Sequence, residues 1–224
     1  MKTFIIGAAG GIGSRLSTIL TARGDTVSGM IRNPDHRDLV ESTGATAVFG
    51  DLIDNDVATL ATAFAGHDAV VFSAGAHGTG MDKTTLIDGK GLEKAADAAR
   101  SAGVERFVLV SAFPESGRSQ QPSEGFEHYM ATKKTADVYL THTDLDWLIV
   151  RPGVLLDEPG DGTVTAGLAI EHGDVRRDNV ASFIAAALAE PSLTRTIVEL
   201  TDGTTPVADA VRQLVSDSAA RPTA

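Results

Sequence analysis

Thr3-Phe4-Ile5-Ile6-Gly7-Ala8-Ala9-Gly10-Gly11-Ile12-Gly13 is the stretch that decides the fold. A threonine and three apolar residues run straight into a glycine-rich turn, and an apolar-periodic segment follows over 14–23. The pattern predicts a strand, a tight turn and a helix, which is how a βα unit builds a phosphate site. Gly7, Gly10, Gly11 and Gly13 let the backbone turn sharply and come close to an anion. Ala9 and Ile12 complete the turn, and the open amides of the helix N-terminus then face the negative charge. Any tight connection can use such glycines. Their position at the first strand-to-helix junction gives the dinucleotide reading its weight.

Outward from this unit the chain repeats its plan. Strands are expected over 26–31, 46–49, 69–72, 106–110 and 147–150, mostly apolar on both faces, as parallel strands covered by helices require. Helices are expected over 35–42, 57–64, 83–102 and 126–141. Gly24, Gly44, Gly66 and Gly103 fall just past helices, where a C-capping glycine belongs. This order predicts a doubly wound parallel α/β sheet, a Rossmann fold, in a single domain over 1–224. After Arg151-Pro152-Gly153 the rhythm changes. Residues 155–174 are rich in Gly, Asp and Pro, and a helix (179–189), a strand (196–200) and a last helix (207–216) follow. The stretch 152–217 is read as a small substrate-side lobe, and 218–224 as a frayed tail.

With 224 residues, 42% of them hydrophobic, the chain can bury one substantial core. The absence of cysteine excludes disulfides, a thiol nucleophile and thiolate metal ligands. The six histidines are scattered, so no metal site is expected. A formal charge of −11 opposes binding to a phosphate backbone, and no nucleic-acid partner is expected. No apolar run reaches the ~18–20 residues of a membrane span. Glycines interrupt the apolar run after Met1-Lys2 and no cleavage site follows, so a signal peptide is not expected and a cytoplasmic location is. Monomer and homodimer both stay open.

The chain resembles the short-chain dehydrogenase/reductase superfamily, and within it the atypical NAD(P)-binding branch of NmrA-like and flavin/biliverdin-reductase-like proteins. The resemblance covers essentially the whole chain. It is carried by Gly7-x-x-Gly10-x-x-Gly13, Arg32-Asn33-Pro34, Gly50-Asp51-Leu52 and the run from Ala102 to Ser111. Tyr129-x-x-x-Lys133, Ala136-Asp137, Arg151-Pro152-Gly153 and Arg177-Asp178-Asn179-Val180-Ala181 complete it.

Arg32 lies ~20 residues beyond the glycine turn, where a dinucleotide fold reads the adenosine ribose. A guanidinium there, flanked by Asn33, suits a 2′-phosphate and favours NADP, with NAD possible and a solvated arginine the plain alternative. By resemblance, Asp51 accepts from the adenine amino group while Leu52 covers the ring. Asp54 and Asn55 are better placed to cap the next helix, which leaves Asp51 for the cofactor. Ser73-Ala74-Gly75-Ala76 leave the fourth strand with small side chains, so the backbone can pass close under a ribose and phosphates. By resemblance, Pro152-Gly153 give backbone contact to the nicotinamide; the proline equally serves to end a strand.

Ser111, Tyr129 and Lys133 form the expected catalytic set. In active members of the family the tyrosine is the general acid/base, the lysine lowers its pKa and holds the nicotinamide ribose, and the serine orients a carbonyl. A spacing of i, i+4 puts Tyr129 and Lys133 on one helical face. Pro114, Gly117, Pro122 and Gly125 suggest a mobile loop over this site. Arg177-Asp178 are read as ordinary helix-start residues, and Asp157, Glu158, Asp161 and Asp174 as a solvated loop. The resemblance implies an NADP-dependent oxidoreductase acting on a small-molecule carbonyl, quinone or flavin-like acceptor. A non-catalytic NADP(H) sensor is the alternative; a nucleotide-sugar epimerase or dehydratase shares the fold, but the C-terminal third is short for its substrate.

Overall fold

The computed structural model describes residues 1–76, 78–113 and 122–219. Its first half alternates strand and helix. β1 (Lys2–Ile6), α1 (Gly11–Ala22), β2 (Thr26–Ile31), α2 (Arg37–Ser42) and β3 (Thr46–Phe49) build one wing. α3 (Val57–Phe64), β4 (Ala69–Phe72), α4 (Met81–Thr84), a π-helical turn (Thr85–Gly91), α5 (Leu92–Ser101) and β5 (Arg106–Val110) begin the other. α6 (Glu124–Thr141), β6 (Asp146–Pro152), β7 (Val154–Leu156), β8 (Thr163–Gly167) and β9 (Asp174–Arg176) follow. α7 (Arg177–Leu188), β10 (Thr196–Asp202), β11 (Thr205–Pro206) and α8 (Val207–Ala219) complete the described chain.

One nine-stranded sheet runs in the order β11-β8-β10-β6-β5-β4-β1-β2-β3. All pairings are parallel except those of β8, which lies antiparallel to β10 and β11. The central strands are apolar on both faces because both faces are covered. Ile5, Val71, Val108 and Leu148 pack with Leu16 of α1, Phe183 of α7 and Leu214 of α8. Their neighbours Phe4, Phe72, Phe107 and Ile149 point the other way, onto Phe64 of α3, Leu92 of α5 and Leu140 of α6. A strand's two-residue period splits each apolar run between two cores. The expected capping glycines Gly24, Gly44, Gly66 and Gly103 all have positive φ, between 71° and 91°.

Three expectations change. The helix predicted as one piece over 83–102 starts at Met81 and carries a π-helical turn in its middle. The stretch 152–217, read as a small substrate-side lobe of the single domain, is built largely into the main sheet and core. β8, β10 and β11 extend the main sheet, α7 and α8 pack into the core with α1, and only β7 and β9 pair separately. The last helix continues through Ser218 to Ala219, where a frayed tail was expected; Pro114, Gly117 and 220–224 lie outside the described residues.

Candidate active site

Sheet order reverses at β1, which has β2 on one side and β4 on the other. Ligands collect at such a switch point, beyond the carboxyl ends of the strands. The glycine turn sits there. Gly7 has φ +87°, and a β-carbon on it would lie 2.7 Å from the Ala74 amide nitrogen. A β-carbon on Gly13 would overlap the Gly7 carbonyl oxygen, so this glycine seats helix on strand and does not line the site. Gly10 donates its amide to the Gly7 carbonyl at 2.9 Å and is the N-cap of α1. No side chain caps that helix and its first turn holds no acidic residue, which leaves amides free for an anion.

Two cavities meet at this turn, sharing Gly10, Ser73, Ala74 and Gly75 as walls. The first, of about 360 Å³, runs toward Arg32, Asn33, His36, Asp51 and Leu52. Arg32 is 64% exposed and faces Asp51 loosely, Nε to Oδ2 at 3.9 Å. The Asn33 side-chain oxygen accepts from the Asp35 amide. The Asp51 carboxylate is less free than expected. Its Oδ1 accepts from the Ile53 amide at 2.6 Å, and its own amide donates to Asn55 Oδ1 at 2.7 Å. The cap of α3 is neither Asp54 nor Asn55 but Asp56, which accepts from the Thr59 amide.

The second cavity, of about 530 Å³, runs from Gly10, Gly11 and Ile12 to Ser111, Tyr129 and Lys133. The expected catalytic side chains therefore share one chamber with the glycine turn. They are not coupled as expected. The Lys133 ammonium is buried, donates to the Val110 carbonyl at 2.9 Å and lies 3.6 Å from Asp88 Oδ1. No hydrogen bond joins Lys133 to Tyr129 among the described residues. Burial, then the nearby Asp88 and Asp137 carboxylates, push the Tyr129 phenol up to about 12. Asp137 stands one turn beyond Lys133 on the same face of α6 and pairs with Arg151 at 2.9 Å. Burial raises its pKa against the lowering pull of Ser111, Arg151 and Lys133. Ser111 lies beside it without bonding geometry: neither Ser111 Oγ nor Asp137 Oδ1 has a hydrogen-bond partner.

Some expected residues stay outside the two cavities. Ala76 donates its amide to Asp88 Oδ2 at 2.9 Å, beneath the loop that leaves β4. Pro152 is the last residue of β6, and the Gly153 amide is already given to the Leu200 carbonyl at 2.9 Å. Of 155–174, only Leu155 lines the second cavity.

Two residues join the site that sequence reasoning assigned elsewhere or passed over. Arg177 lines the second cavity, its stem lying where a β-carbon on Gly11 would be, and it pairs with Asp157 at 2.8 Å. Its neighbour Asp178 is not a cap; it holds Arg15 at 2.6 Å and accepts from the Gly160 amide. Asp88 is the other. Its one sequence signal is a carboxylate four residues before buried Leu92, on a face that should be apolar.

Among the described residues no three His, Asp or Glu side chains converge as a metal site, and no helix is long and apolar enough to cross a membrane. The family described as NAD(P)H-binding matches residues 7–191. A Bacillus subtilis protein named uncharacterized sugar epimerase YhfK is 39% identical over 96% of this chain and 100% of its own length. A Bacillus halodurans structure named "Putative NAD-dependent epimerase/dehydratase" superposes with a TM-score of 0.87 at 33% identity, covering 95% of this chain and 99% of that one. The structure of ChuY, titled an anaerobilin reductase from Escherichia coli O157:H7, gives 0.74 at 26% identity over 90% and 97%.

Proposed function

Because the chain belongs to the NAD(P)H-binding family, we propose that it is an NADPH-dependent oxidoreductase acting on a small-molecule carbonyl, quinone or flavin-like acceptor. The observation that carries this reading is the continuity of the two cavities through the glycine turn. One trough joins an exposed guanidinium at its outer end to Ser111, Tyr129 and Lys133 at its inner end. A dinucleotide fits the donor set. Arg32 offers a planar fork to a 2′-phosphate, and the α1 N-terminus offers amides to a pyrophosphate. Gly10 and Gly75, on the wall shared by both cavities, carry no β-carbon to narrow the passage, while the room beside Gly11 is taken by the Arg177 stem. Leu52 would give the adenine an apolar wall, and Lys133, lining the inner cavity, would be the residue to hold the inner ribose. Bound there, NADPH supplies a hydride. Tyr129 keeps its proton at neutral pH and would serve as a hydrogen-bond donor to the acceptor, while the proton that follows the hydride comes from solvent.

The test is NADPH consumption against a panel of quinones, aldehydes and flavins. Oxidation with at least one acceptor is expected, with NADPH preferred to NADH. Tight NADPH binding without turnover of any acceptor would favour the second reading, a cofactor-binding sensor. One observation favours that alternative: Lys133 is paired with Asp88 and bonded to the Val110 carbonyl, with no hydrogen bond to Tyr129 among the described residues. A sugar epimerase, as YhfK is named, fits less well. From 152–217 only Leu155 and Arg177 line the inner cavity, which leaves little surface for a nucleoside diphosphate sugar.

A further inference from the structure

Asp88 is the most deeply buried charged side chain at the site, 1% exposed, and it sits in the middle of the π-helical turn Thr85–Gly91. Turns of this kind are rare inside α-helices and concentrate at functional sites. Here the turn brings the helix close to its neighbours. A β-carbon on Gly89 would lie 3.2 Å from Thr132 of α6, and one on Gly91 would lie 3.2 Å from Leu52.

The two carboxylate oxygens of Asp88 do different things. Oδ2 accepts from the Ala76 amide and so fixes the loop that leaves β4. Oδ1 has no hydrogen bond; it lies 3.3 Å from where a Gly75 β-carbon would be and 3.6 Å from Lys133 Nζ. On its other side the ammonium donates to the Val110 carbonyl. A buried cation held by a carboxylate and a carbonyl is not free to approach a third group without breaking those contacts.

We propose that Asp88 is a positioning residue: its carboxylate holds the Lys133 ammonium at the end of β5, so the lysine's charge does not serve the Tyr129 phenol. This rests on the reductase reading for its use but not for its geometry. Among the described residues, the charged and titratable groups around the phenol are Asp88 from the π-helical turn, Lys133 and Asp137 from α6, Arg151 from β6, which pairs with Asp137, and Arg177, which lines the same cavity. Of these, the two carboxylates act on the phenol, and both oppose its ionisation. Removing the Asp88 charge takes away one of them and releases Lys133 to act in the opposite sense.

The chain has two tyrosines, so Tyr139→Phe leaves Tyr129 as the sole phenol. The experiment is an alkaline titration of tyrosinate absorbance in that background, with far-ultraviolet circular dichroism followed in parallel to mark unfolding. With Asp88 present, Tyr129 is expected to stay un-ionised until the protein unfolds. Asp88→Asn, which keeps an oxygen for the Ala76 amide, is expected to bring ionisation forward by about one pH unit or more, into the folded range. Asp88→Ser should do the same, and Asp88→Glu should restore the silent phenol. A phenol that stays silent in folded Asp88→Asn and Asp88→Ser overturns the proposal. Failure of both variants to fold also overturns it, since Asp88 would then be a structural anchor only. The titration needs neither cofactor nor acceptor, so its outcome is separate from that of the turnover panel.

Discussion

At the outer end of the trough the charge stands in solvent; at the inner end it is buried and already paired. Arg32 is 64% exposed with Asp51 at 3.9 Å, whereas Lys133 and Asp88 are 4% and 1% exposed and 3.6 Å apart. An exposed, loosely opposed guanidinium costs the fold little and is ready for an anion that arrives with a ligand. A buried pair belongs to the fold first, and whatever it does for chemistry is constrained by what it does for stability. A cation on this trough is therefore open to a ligand at one end and a structural charge at the other.

The largest effect expected is on the buried pair. Lys133→Met leaves the Asp88 carboxylate buried without its counter-charge and should lower unfolding free energy by about 3–5 kcal/mol in urea denaturation. A loss below about 1 kcal/mol would break the comparison, because the inner end would then be no more structural than the outer.

Next in size is the alkaline limb of stability. Tyr129 holds its proton more tightly folded than unfolded, since burial and two carboxylates raise it to about 12. Its contribution is complete below pH ~10 and is lost as pH rises from there toward the folded value. Over that window the unmutated protein should lose about 2–3 kcal/mol that Tyr129→Phe does not lose. Parallel stability curves for the two proteins would show that the phenol is not in the environment described.

At the outer end, Arg32→Ala should weaken NADPH by roughly tenfold to a hundredfold, about 1.5–3 kcal/mol, and leave NADH nearly unchanged. Fluorescence titration of both cofactors reads it. Equal losses for the two would mean that Arg32 meets a part of the dinucleotide common to both.

The smallest effect sharpens the comparison at the inner end. If Lys133 is withheld from the phenol, Tyr129→Phe should lower quinone turnover by less than about tenfold, well under the ~10²–10⁴ of a working general acid. A loss of that larger size would restore the tyrosine to proton transfer.

Much of the outer end could be read from sequence because its signals are local. Strands at 69–72 and 106–110 have their expected bounds, since an apolar run between a capping glycine and small residues leaves few alternatives, and 26–31 has its own because it lies between Gly24 and Arg32-Asn33-Pro34. Arg32 stands at a fixed spacing from the glycine turn for the same reason. The inner end depends on contacts between distant segments. The π-helical turn is shaped where Gly89 meets Thr132 and Gly91 meets Leu52, and neither meeting leaves a periodic trace. The run 152–217 spells strands and helices but does not say which strands they join. β10 pairs with β6, and β8 returns antiparallel beside it, through registers such as Val198 with Val150 and Leu200 with Ala166. Irregular composition over 155–174 suggested a small substrate-side lobe within the one domain, and it gave no sign that this lobe extends the main sheet.

That extension decides how the sheet ends. A nine-stranded sheet has two rows of backbone donors and acceptors with no strand beyond them, and such rows template fibril growth and pairing between molecules. Here one row belongs to β11, a two-residue strand that closes on Pro206, which has no amide to donate. The other belongs to the four-residue β3, whose exposed Phe49 lies beneath the Arg37 guanidinium at 5.0 Å from its ring centre. A proline at one margin and a charge over the aromatic at the other are the kind of gatekeepers that keep a wide sheet from recruiting copies of itself.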